Sequence, residues 1–227
     1  MKRVLTTVIF FSLALTASAQ FFQGFGLMGG LTLGRQKWWI TEINSADQSK
    51  TESTFKTKRI LRFNGEIFAE FGKHPNFHWR TEFQYNQKGS IEKTSADKFK
   101  NKLDYICWNN FLIIRQEDFL GTPYFLIGPR VEYKFKQGLQ SPLLLNDDFQ
   151  SLHFSWSVGL GWEFVTYGRF KPFVEIHYNP DLNKASTQSD PVLPEIISAT
   201  TVKNRAWELR IGFKIVRNPT KCPAVYK

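Results

Sequence analysis

Past residue 20 the chain has no apolar run long enough for a transmembrane helix, and no segment shows helical periodicity. It has two cysteines, Cys107 and Cys222, too few for a disulfide-stapled secreted scaffold. Cys107 sits inside a strand-like run and Cys222 in the terminal tail, which does not indicate a bridge. Metal-ligand spacing is missing, so no metal or other cofactor is expected. The four histidines, His74, His78, His153 and His177, form no motif with a nucleophile. These absences exclude a helical membrane bundle and a disulfide miniature, and they leave no signature of catalysis.

One apolar stretch does occur, at the start. Lys2 and Arg3 precede "VLTTVIFFSLAL", and "ASA" at 17–19 offers a small-residue cleavage site. This pattern predicts a secretory signal peptide over residues 1–19. Without those two basic residues the mature chain carries 28 basic residues against 20 acidic ones. The basic residues are spread through the strands rather than clustered, and an exported chain rarely meets nucleic acid, so none is expected as a partner. An alternative use of the basic excess is attraction to anionic lipid headgroups or cell-surface polysaccharide.

What the sequence has in quantity is alternation. In "NFHWRTEFQYNQKGS" (76–90), Phe77, Trp79, Phe83 and Tyr85 alternate with His78, Arg80, Glu82, Gln84 and Lys88. A period of two predicts a β-strand with one apolar and one polar face. Similar runs cover 24–40, 59–72, 103–114, 122–136, 151–165, 169–179 and 203–216. The run at 103–114 has two poorly separated faces, so its register stays open. These eight runs span 11 to 17 residues, whereas strands in soluble sheets are commonly about 5–6. Short connectors ("GKHPN", "EDFLGT", "TYGR") alternate with long ones, and that is the arrangement of an up-and-down barrel of the outer membrane. The expected fold is an all-β, eight-stranded antiparallel transmembrane barrel over 20–216, with a periplasmic tail at 217–227.

Volume decides which face looks in. An eight-stranded barrel has room for ordinary side chains only, so dozens of aromatic rings cannot all point inward. The polar face is interrupted by Gly26, Gly30, Gly34, Gly159 and Gly161, which relieve crowding if that face is enclosed. The rings then face acyl chains, which a closed barrel tolerates because its backbone is paired internally. The tryptophans, including adjacent Trp38 and Trp39, read as interfacial belts, with one of that pair capping the lumen. The lumen would hold a charge network of Arg62, Glu66, Glu70, Arg80, Glu82, Arg130, Glu132, Glu163, Lys171, Glu175, Glu208 and Arg210. Both signs are present, as an ion-paired plug requires. A selective pore would favour one sign and a wider ring.

"GLMGGLTLG", "FQYNQKGS", "TPYFLIGPRVEYKF", "SVGLGWEF" and "FVEIHYNPDL" resemble PorT-type outer-membrane barrels of Bacteroidota, over nearly the whole mature chain. The family's Tyr-Leu-Glu-Ile-Pro-like fourth strand is "DYICWNNF" here. The resemblance implies a non-enzymatic barrel with a structural or interaction role, accessory to secretion or gliding. Its partners would be membrane lipid and proteins met through extracellular loops or the tail. A small channel or transporter is the alternative, and a barrel enzyme or a lipocalin-type ligand carrier are further ones.

Overall fold

The computed structural model of the chain describes residues 21–44, 50–93, 98–116, 121–138, 151–166, 168–182, 186–193 and 196–220. The expected signal peptide, Cys222 and the end of the tail lie outside these residues. The described residues form ten strands: β1 (Phe22–Asn44), β2 (Lys50–Lys56), β3 (Ile60–Phe71), β4 (Phe77–Lys93), β5 (Lys98–Arg115), β6 (Gly121–Gly138), β7 (Leu152–Phe164), β8 (Gly168–Pro180), β9 (Ser186–Leu193) and β10 (Ile196–Thr220). All neighbours are antiparallel, and the sheet closes where β1 pairs with β10.

The closed wall has eight strands, since β2 and β9 are continuations rather than extra staves. β2 pairs with the far half of the β1 edge whose near half carries β3. β9 likewise prolongs the β10 edge that carries β8. Much of three long connectors expected between the alternating runs, around residues 41–56, 91–100 and 180–202, is therefore strand: β2, β9 and the prolonged ends of β1, β4, β5 and β10. In sequence these stretches are mostly polar, with no sustained apolar alternation to mark a strand, and their Thr residues suit an extended backbone. β10 also runs to Thr220, which pairs with Gly168, so the wall extends four residues past 216. Three short turns lie at one end of the barrel and the long hairpins at the other.

The faces sort by parity. On β7, Leu152, Phe154, Trp156, Val158 and Leu160 are exposed, while His153, Ser155, Ser157 and Gly159 are buried. The same division on the other strands places Phe25, Phe63, Trp79, Ile176 and Ile211 on the outside. A water-soluble protein does not expose apolar surface on this scale. The inside is not purely ionic. Trp38, Leu103, Tyr105, Cys107 and Val202 cluster towards the long-hairpin end. Phe111, Ile113, Tyr124 and Leu126 form a second apolar group, and Met28, Phe68 and Phe173 a third.

Inward glycines make room for these rings. A Cβ on Gly26 would lie 2.5 Å from the Phe68 ring, and one on Gly161 2.2 Å from the Tyr124 ring. Gly65, on the outer face, keeps unbroken register with both β1 and β4, so it is a plain wall position.

Candidate functional site in the barrel lumen

Alternate residues of seven strands bring a continuous set of ion pairs to the barrel axis. Near the short turns, Glu70 of β3 takes the His78 ring at 3.0 Å, Arg80 at 3.3 Å and Lys214 at 3.4 Å, and it also accepts from Arg115. Lys214 reaches Glu163 at 2.6 Å. Arg80 then links Glu70 to Glu175, at 2.5 Å. Its guanidinium also lies 4.6 Å from the Phe68 centroid and 5.4 Å from that of Phe173. A fully buried cation is tolerated where carboxylates and ring faces replace its lost hydration.

The mid-lumen is organised on Arg210. Its nitrogens lie 3.2 Å from Glu66, 3.2 Å from Glu82 and 2.5 Å from Glu208. Glu208 also receives Arg130 at 3.1 Å, with Gln84, Asn86 and Asn179 donating to it. Arg130 meets Glu132 at 2.6 Å, and Lys88 closes on Glu132 at 2.6 Å. Beyond Lys88 lie Asp181, at 3.8 Å, and the Tyr105 ring. Neutral amides and hydroxyls (Thr32, Asn64, Gln36, Ser90 and Asn204) continue the bonding towards the long-hairpin end. Trp38, with Leu103 and Val202, covers it there.

Of the twelve residues named from sequence, Glu66, Glu70, Arg80, Glu82, Arg130, Glu132, Glu175, Glu208 and Arg210 are joined in this chain of contacts, and Glu163 enters through Lys214. Lys171 instead donates to the Thr166 carbonyl at 2.6 Å. Arg62 stands apart, 3.4 Å from Asp104, which also accepts from the Tyr85 hydroxyl. Lys88, Arg115, Asp181 and Lys214 join the contacts without having been named. Lys88 and Lys214 keep the parity of their strands' polar faces and were legible on that signal. Arg115 sits on the strand of open register, and Asp181 lies beyond the last regular alternation of β8.

One subset resembles a reactive arrangement. The Ser157 hydroxyl lies 3.2 Å from His177 Nδ1, and His177 Nε2 lies 2.8 Å from Glu175. A serine, an imidazole and a carboxylate in that order are the parts of an acyl-transfer relay. Here all three are fully buried, and Glu175 is already bound by Arg80 and the Tyr124 hydroxyl at 2.6 Å. Ser157 is thus enclosed, and the carboxylate behind His177 is already engaged by other side chains. Among the described residues no group of three His, Cys, Asp or Glu side chains is placed to hold a metal ion. A cavity of about 350 Å³ opens at the short-turn mouth and ends on Glu70, Arg115 and Lys214.

No family model matches the chain, and no curated protein matches it in sequence. In fold it is similar to the outer membrane protein OprG from Pseudomonas aeruginosa, with a TM-score of 0.54 at 12% identity over 86% of this chain and 97% of OprG. The outer membrane protein AlkL, whose structure was determined in lipid bilayers, gives 0.47 at 12% identity over 91% of this chain and 95% of its own. Neisserial surface protein A gives 0.43 at 13% identity over 83% and 97%. At these identities the likeness speaks to fold, and OprG carries it. The closed antiparallel ring and its apolar exterior make the chain an outer-membrane β-barrel in contact with lipid.

Proposed function

We propose that the chain is a non-enzymatic barrel whose lumen is sealed and whose work is structural or interactive. The observation that carries this reading is the run of contacts Lys214–Glu70–Arg80–Glu82–Arg210–Glu208–Arg130–Glu132–Lys88 along the axis. A permeant ion would have to separate buried pairs, each strongly resistant to losing a partner. The enclosed Ser157 supports the absence of hydrolytic chemistry. The strand extensions at the long-hairpin end carry paired backbone beyond the apolar wall, and the largely polar sequences of β2 and β9 suit meeting a protein. The resemblance of the β1, β4, β6, β7 and β8 segments to PorT-type barrels supports the finer reading, an accessory of secretion or gliding.

Planar-bilayer recording tests the seal. Purified protein is expected to pass no steady current, and a steady, ion-selective current would establish the channel alternative instead. Affinity capture from outer membranes tests the interaction role, with recurrent recovery of one protein expected.

A further inference from the structure

On the outer wall, the seam between β1 and β10 changes character abruptly. Going towards the long hairpins, the outward rungs are Leu31 opposite Leu209, then Leu33 opposite Trp207. The next two are Arg35 opposite Arg205 and Lys37 opposite Lys203. The intervening residues Gln36, Trp38, Asn204 and Ala206 are buried, which fixes the four cations on the outside. Like charges directly opposite on one face repel and weaken a ladder. Two consecutive rungs of them, at the rim of an apolar band where water screens poorly, make an arrangement that calls for an anion.

None of the four makes an ion pair among the described residues. Lys203 donates to the Leu182 carbonyl at 3.3 Å, and the Lys37 ammonium lies 4.4 Å from the centroid of Trp39, one rung further out. The same transition recurs around the wall, where the exposed Arg59 lies just ahead of β3 and its outward Leu61, and Lys102 stands beyond Ile106 on β5. The other end of the seam carries no such block, since its apolar rung is Phe25 opposite Ile215.

We propose that Arg35, Lys37, Lys203 and Arg205 form a binding site for the phosphate of an outer-leaflet glycolipid, of lipid A chemistry. Guanidinium groups grip a phosphate through paired N–H donors, and the ammoniums add charge on the adjacent rung. Leu31, Leu33, Trp207 and Leu209 lie directly below to receive acyl chains, and Trp39 sits at the level expected of an interfacial ring. A free inorganic anion would leave those apolar rungs unused, which favours a lipid. The site rests on the outer-membrane reading, with the long hairpins facing outwards.

The test is native mass spectrometry of the full chain in detergent, titrated with bis-phosphorylated lipid A, dephosphorylated lipid A or inorganic phosphate. Wild type is expected to retain the phosphorylated lipid, the Arg35→Gln/Arg205→Gln variant to bind it at least tenfold more weakly, and the dephosphorylated lipid to bind wild type no better than it binds the variant. Equal binding of the two lipids by wild type would overturn the proposal, and that comparison needs no variant to fold. Competition by millimolar inorganic phosphate would assign the cations to a free anion instead. A second readout is unfolding in neutral phosphatidylcholine vesicles. There the variant should be the more stable of the two, and added phosphorylated lipid A should reverse the order. Failure of the barrel reading is separable, because it would show as loss of detergent-resistant folding in every sample.

Discussion

Arg210 and Arg62 are both arginines on strands of the same barrel, yet their surroundings give them different weights. Arg210 is fully buried and is shared by Glu66, Glu82 and Glu208. Replacing it with Met strips Glu66 of its paired cation and leaves Glu82 and Glu208 with one each, Arg80 and Arg130. The expected loss is about 3–5 kcal/mol, as for breaking a buried pair by removing one partner. Arg62 is partly solvated and holds a single carboxylate at 3.4 Å. Its replacement by Met should cost about 1 kcal/mol or less. Urea unfolding in vesicles, followed by tryptophan fluorescence, separates the two. Similar losses for both would mean that the lumen is hydrated enough to screen its charges.

At the level of elements, the wall strands were legible wherever one face is apolar and the other polar. β7 is such a strand, and its exposed and buried residues can be read directly from "LHFSWSVGLGW". β5 is not. Its inner face carries Leu103, Tyr105, Cys107, Phe111 and Ile113, while its outer face carries Ile106, Trp108, Leu112 and Ile114. The inward rings have partners that no single strand reveals: Tyr105 packs on His153 at 5.6 Å and Phe111 on His177 at 5.6 Å. The membership of the lumen was largely visible as parity, but its pairings were not. Which Glu meets which Arg depends on the register between strands remote in sequence, as with Arg80 and Glu175.

The lipid-facing role of a strand can be tested on β10. Among the described residues Ile211 is the most exposed large apolar side chain. Ile211→Arg should destabilise by about 2–4 kcal/mol, and Tyr133→Arg, nearer the long-hairpin rim, by about 0–1 kcal/mol. Equal effects in vesicle unfolding would place the apolar band elsewhere.

For the whole molecule, closure of the ring leaves every wall strand paired on both sides, and the ionic lumen ties opposite walls together. Such a barrel should survive unheated in detergent gels and migrate differently after boiling. Co-migration of heated and unheated samples would indicate a sheet that had not closed.

The pairing of β1 with β10, from Gly24 opposite Val216 to Asn44 opposite Ile196, joins the two extremes of the chain over the full height of the wall. Until the last segment arrives, the remaining strands form an unfinished ribbon whose bare margins stick to whatever they meet. Closure of the wall therefore depends on both ends of the sheet, because β1 finds its second neighbour only in β10. A chain that stops short of β10 leaves β1 and β8 each with a bare edge, so no cylinder can form from what remains.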